Sequence, residues 1–95
     1  ENSKDRFMNS LEEEKYEILK SSRFFDKNYY QNRYDDLKKQ GKDFDLLLHY
    51  IRKGESEGRQ PNKRFEPNWY IKFYSDIQKE GISPTIHFVK YGKLE

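Results

Sequence analysis

Apolar positions recur along this chain in short helical stripes rather than in the alternation of a half-buried strand. Tyr30, Tyr34 and Leu37 are spaced by four and three, which places them on one helical face. Tyr70, Tyr74 and Ile77 repeat that spacing, with Trp69 and Phe73 widening the stripe. Asp26 is a natural N-cap for the first of these helices, and Glu66-Pro67 opens the second with proline where its missing N–H costs nothing. Gly41 and Gly81 stand where a left-handed C-terminal cap is expected. Shorter helices follow each: Asp45 caps Leu46 to Lys53, and Ser83-Pro84 caps Thr85 to Tyr91. Leu47 or Leu48 with Ile51, and Ile86 with Val89, supply narrow apolar stripes that Gly54 and Gly92 are expected to stop.

These elements are two copies of one helix-turn-helix unit of roughly 40 residues. Phe25-Asp26-Lys27-Asn28-Tyr29-Tyr30 aligns with Phe65-Glu66-Pro67-Asn68-Trp69-Tyr70, and Tyr34, Asp36, Leu37, Lys39 and Gly41 match Tyr74, Asp76, Ile77, Lys79 and Gly81. After a two-residue contraction, His49 matches His87, Tyr50 matches Phe88, Ile51 matches Val89, Gly54 matches Gly92 and Glu57 matches Glu95. A lone helical pair cannot close a core, whereas two stacked pairs bury each other's aromatic stripes. The expected fold is all-α: a lead helix plus two stacked repeats. Residues 1–24 form an N-terminal helix or linker, 25–61 the first repeat and 62–95 the second, in one compact domain. Residues 55–61, Glu55-Ser56-Glu57-Gly58-Arg59-Gln60-Pro61, read as a polar connector.

Ahead of the repeats, Ser10-x-x-Glu13 has the form of a capping box, and Leu11, Ile18 and Leu19 give a thin apolar side that Phe7 and Met8 extend. A short helix is expected, acting as a lid on one end of the repeats or joining them to a preceding domain, with residues 1–5 frayed. The chain opens on Glu1 rather than Met and carries no signal-peptide pattern, as an excised piece of a longer protein would.

Composition sharpens this picture. Only 33% of residues are hydrophobic and 38% are charged, a balance that leans toward disorder, yet 17% are aromatic. Each aromatic ring buries ~150–250 Å², so a core can be built from few residues. The net charge of +2 supplies no long-range field for nucleic acid. There is no cysteine, which excludes disulfides and thiolate metal sites. The longest run of aliphatic residues, Leu46-Leu47-Leu48, is far short of the ~20 residues of a transmembrane helix.

Candidate chemistry is sparse. His49 and His87 occupy equivalent positions, without the further ligands a metal needs or the nucleophile a catalytic base would serve. Each imidazole is expected to bond a backbone carbonyl or the recurring Asp36 and Asp76. Asp35, Asp36, Asp43 and Asp45 lack the spacing of a calcium loop and read as caps and solvated charge. Most aromatics are core by spacing, so Tyr34→Ala or Tyr74→Ala is expected to cost on the order of 3 kcal/mol. Phe24, Phe44 and Tyr16 are the candidates for an exposed aromatic surface. Arg59, Lys63 and Arg64 form a basic cluster that suits a solvated turn or, alternatively, an anion or acidic headgroup. No catalytic, cofactor-binding or metal residue is assigned, and no cofactor is expected.

Taken together, Phe25-Asp26-x-x-Tyr29-Tyr30, Tyr34-x-Asp36-Leu37, His49-Tyr50, Gly54 and Glu57-Gly58-Arg59-x-Pro61 resemble a known bacterial pattern. It is similar to the tandem helical repeats that accompany glycosyltransferase domains building capsule and lipopolysaccharide, and that occur in some large secreted proteins. The resemblance covers about residues 23–95, with Trp69 and Phe88 departing from Tyr in the second copy. It implies a non-catalytic accessory segment, cytoplasmic or membrane-associated through its parent, whose partners are an acceptor glycan or a protein of the assembly machinery. Peripheral membrane contact through Arg59 to Arg64 is a weaker expectation, and a repeat module of a secreted protein is the alternative.

Overall fold

The computed structural model describes residues 8–92, and they form an all-α fold. Helix α1 spans Ser10–Ser22, α2 Lys27–Arg33, α3 Asp35–Lys38 and α4 Leu46–His49, the last running on into a π-helical turn at Tyr50–Gly54. Then come α5 at Pro67–Phe73, α6 at Ser75–Lys79 and α7 at Pro84–Lys90. No helix among these residues is long and apolar enough to cross a membrane.

The lead helix begins one residue earlier than its sequence suggests. Asn9, not Ser10, is the N-cap: its side chain accepts from the Glu12 amide at 2.8 Å, and the Glu12 carboxylate accepts from the Asn9 amide at 3.2 Å. Asn caps at least as well as Ser, and the reciprocal Glu then sits three residues on. Leu11 is exposed as a result, while Leu19 is buried to 2%. Helix α1 packs on both α7 and the π turn, one element from each copy. A paired contact of Arg52 with the Glu12 carboxylate, at 3.1 and 3.2 Å, pins its outer edge. Phe7 and the residues expected to fray lie outside the described part.

The first helix of each copy proves to be two. Tyr34 leaves helical geometry at φ −123°, ψ 121°, and Tyr74 does so at φ −125°, ψ 60°. The break occurs in both copies, so its cause is local. Acidic Asp35 and Asp36, or Ser75 and Asp76, favour a fresh N-terminal turn over continuation. The new turn swings Leu37 and Ile77 into the core, to 2% and 4% exposure.

Capping divides the copies again. Gly81 takes the expected left-handed conformation at φ 72°, and Ile82 N–H reaches back to the Ile77 carbonyl at 2.9 Å. Gly41 does not adopt positive φ. There the Gln31 side-chain amide donates to the Leu37 carbonyl at 2.9 Å, satisfying the group a left-handed glycine would otherwise serve. The position matching Gln31 is Ile71, which has no donor, so the second copy needs the backbone motif. Gly54 ends the helical run as expected, but without a left-handed cap, since Glu55 is right-handed. Its role is close approach: a Cβ there would overlap the Tyr30 hydroxyl.

Leu19, Tyr30, Leu37, Leu47 and Tyr50 form the main core, with Ile86 and Val89 of the second copy packed on it. A smaller core gathers Phe65, Tyr70 and Ile77. Phe24 belongs to both, edge-on to Phe65 at 5.3 Å and tilted on Phe88 at 5.6 Å. Polar contacts seal the join. The buried hydroxyls of Tyr50 and Thr85 meet at 2.6 Å, and the Glu55 carboxylate accepts from the Ser83 hydroxyl and the Thr85 amide at 2.6 and 2.9 Å. The connector predicted to be a polar loop is therefore partly structural, and Pro61 is fully buried.

Candidate functional site

Each copy builds the same polar device from the same positions. The Tyr30 hydroxyl lies 2.8 Å from His49 Nδ1, and the Tyr70 hydroxyl 2.6 Å from His87 Nδ1. This corrects the expectation that the histidines pair with Asp36 and Asp76 or with a backbone carbonyl. The tyrosine one turn into each copy reaches the imidazole across the helical pair, so a buried hydroxyl and a ring nitrogen satisfy one another. Burial pushes the Tyr30 phenol up and, with the Arg59 charge nearby, holds His49 below its ordinary range. Both shifts favour the neutral form of the pair.

Asp36 has a different partner. Its carboxylate takes a bidentate grip from Arg59, at 3.0 and 2.9 Å, and that guanidinium holds the Asp36 carboxyl below its usual value. The same guanidinium lies 4.7 Å over the Tyr34 ring, and Arg59 Nε meets Glu57 at 2.9 Å. The next residue completes the seat, since Gln60 N–H donates to the Tyr34 hydroxyl at 2.7 Å. The basic cluster read from sequence is thus divided. Arg59 is committed to this seat, while Lys63 and Arg64 join Arg23 at the rim of a depression of about 650 Å³ floored by Phe24, Phe65 and Phe88.

The second copy holds Tyr74 and Asp76 at the matching positions, and among the described residues no guanidinium lies over the Tyr74 ring. Asp76 is exposed, and among the described residues neither its carboxylate nor the Tyr74 hydroxyl has a hydrogen-bond partner. The Tyr74 ring instead leans onto Tyr70 at 4.7 Å and His87 at 5.6 Å, with Tyr91 beyond His87 at 5.2 Å.

The exposed aromatics are also not those expected. Phe24 and Phe44 are half-buried against the core, and Tyr16 donates to Asp45 at 2.8 Å. The open rings are Trp69 and Phe73, 57% and 67% exposed, with Tyr74 and Tyr91. Trp69 and Phe73 pack on each other at 4.6 Å. Spacing alone assigned them to the core stripe. The counterparts in the first copy, Tyr29 and Arg33, each carry a polar end, and that asymmetry was the available signal of an outward face. No protein family, curated protein or solved structure matches this chain. Among the described residues no three His, Cys, Asp or Glu side chains gather as a metal site would require.

Proposed function

We propose that this chain is a non-catalytic interaction segment of a bacterial glycosyltransferase that builds capsule or lipopolysaccharide, and that it helps to position the acceptor glycan. The observation that carries the binding part is the Trp69–Phe73 pair, two large rings in mutual contact and more than half exposed. Apolar rings left open side by side mark contact surfaces, and their planes suit the C–H faces of sugar rings. The glycosyltransferase setting rests on the resemblance of the repeat motif. Cytoplasmic location, or attachment to the membrane through the parent protein, follows from that setting.

Trp69 is the only tryptophan and reports directly on the face. Titration with oligosaccharides of bacterial surface polymers is expected to change its fluorescence saturably, and Phe73→Ala should abolish the response. The chain mixed with a nucleotide sugar and an acceptor should transfer nothing. Transfer of sugar, or indifference of Trp69 to the whole oligosaccharide set, contradicts the proposal. The same open rings also favour a second reading, a glycan- or protein-binding repeat of a secreted bacterial protein. A nucleotide-sugar-binding domain beside this segment in its parent supports the first reading, and a secretion signal with further repeats supports the second.

A further inference from the structure

We infer that a cavity of about 610 Å³ in the first copy binds a phosphate-bearing sugar. It lies between the end of α1, the start of α2 and the loop leading into α4. Each of these segments brings cations to it: Lys20 and Arg23 from the first, Lys27 from the second and Lys42 from the third. Against these four stand two carboxylates, Asp43 and Asp45, which leaves a formal surplus of +2. That surplus is as large as the formal charge of the whole chain. Asp45 is already engaged, accepting from the Tyr16 hydroxyl at 2.8 Å and the Leu48 amide at 3.1 Å. None of the four cations forms an ion pair among the described residues, although the chain carries 17 Asp and Glu.

A phosphate monoester carries close to two negative charges at neutral pH and matches this surplus. Arg23 supplies the planar fork that grips phosphate oxygens in two places, and the lysines add point charges around it. Arg23 closes α1 at φ 59°, ψ 23°, the left-handed conformation that glycine or asparagine ordinarily takes at a helix end. The guanidinium is thus held at the cavity against a backbone preference. The rest of the lining suits a sugar. The Asn28 side chain has no hydrogen-bond partner among the described residues, and the Gln31 amide nitrogen donates to the Leu37 and Gln40 carbonyls, which leaves its oxygen for a hydroxyl. Half-buried Phe25 and Phe44 offer apolar surface to the C–H face of a sugar ring. All lining residues fall between Tyr16 and Leu47, so the site is built without the second copy and away from both ends of the described chain.

The test is titration of glucose 1-phosphate, inorganic phosphate and glucose into isotopically labelled chain, followed by amide NMR shifts. Glucose 1-phosphate should give saturable shifts at Lys20, Arg23, Lys27, Asn28 and Lys42; inorganic phosphate should bind the same residues several-fold more weakly, and glucose should shift nothing. Lys27→Gln and Lys42→Gln should each weaken binding by roughly fivefold, Asp43→Asn should strengthen it, and Lys79→Gln in the second copy should leave it unchanged. Arg23→Gly separates binding from folding. It relieves the left-handed cap, so the melting temperature should hold or rise while affinity falls by about tenfold. Shifts that do not saturate or that spread evenly over the lysines of the chain overturn the site, as does unchanged affinity in Arg23→Gly. Equal affinity for inorganic phosphate and glucose 1-phosphate overturns the sugar. Trp69 emission should ignore glucose 1-phosphate, so its oligosaccharide response is judged separately.

Discussion

In the first copy, Tyr34 lies beneath Arg59 with its hydroxyl and its neighbouring carboxylate both engaged; in the second, Tyr74 and Asp76 have the same places in the chain and face solvent. The deeper pair behaves alike in both, Tyr30 with His49 and Tyr70 with His87. What separates the copies is therefore the outer layer. The first closes its layer with its own connector, which also carries Glu55 to cap α7 and Pro61 into the core. The same tyrosine and carboxylate are held by the connector in the first copy and are exposed in the second.

The comparison can be pressed hardest in the core. Tyr30 is fully buried among Phe25, Tyr34, His49 and Tyr50, so Tyr30→Ala should cost about 4 kcal/mol in denaturant unfolding. Tyr70, 5% exposed in the smaller cluster, should cost about 3 kcal/mol on the same scale. A larger loss at Tyr70 would reverse the ranking of the two cores.

Glycine replacement sharpens the contrast. At Gly54 an added methyl meets the immobile Tyr30 hydroxyl, and Gly54→Ala should cost roughly 2–3 kcal/mol by overpacking. At Gly92 an added methyl would meet the Phe88 ring, half-buried and packed on Phe24, Phe65 and Tyr70, and Gly92→Ala should cost about 1–2 kcal/mol. Equal costs in thermal or urea melts would mean that the two close approaches are equivalent.

Further out, Tyr34→Ala should lose about 2 kcal/mol with its ring contact and the Gln60 hydrogen bond, whereas Tyr74→Ala, losing its contacts with Tyr70 and His87 but no hydrogen bond, should lose about 1 kcal/mol. This replaces the equal cost of ~3 kcal/mol expected from the shared stripe. Matching losses for the two variants would show the second ring to be core after all.

The smallest expected effect is on pH dependence. Burial, reinforced by Arg59, lowers the folded-state pKa of His49 below 6.5, so the unfolded chain binds its proton first as pH falls. Stability should accordingly decline as pH drops through about 6.5, levelling once the folded imidazole also titrates. His49→Gln should flatten melting temperature between pH 7.5 and 5.5; an unchanged slope would place the titration elsewhere.

Much of this was legible from spacing. The all-α class, the caps at Asp26, Asp45 and Ser83, and the inward faces of Tyr30, Leu37, Tyr70 and Ile77 follow from local rules. What escaped depended on partners distant in sequence. Arg59 finds Asp36 across 23 positions, Glu55 finds Thr85 across 30, and Tyr30 finds His49 across 19, and no helical period encodes such pairings. The breaks at Tyr34 and Tyr74 escaped because a stripe at spacings of four and three survives a change of helix. Trp69 and Phe73 were misplaced because hydrophobic character is a one-way guide: it says what prefers burial, not whether a second layer is there to bury it.

That the second copy presents an uncovered aromatic face is tested most directly by Trp69, the chain's single tryptophan. With 57% of its surface open, its emission should sit at the long wavelength of a water-exposed indole and be quenched by acrylamide nearly as efficiently as a free tryptophan derivative. Short-wavelength emission protected from acrylamide in the folded chain, and released only on unfolding, would contradict it.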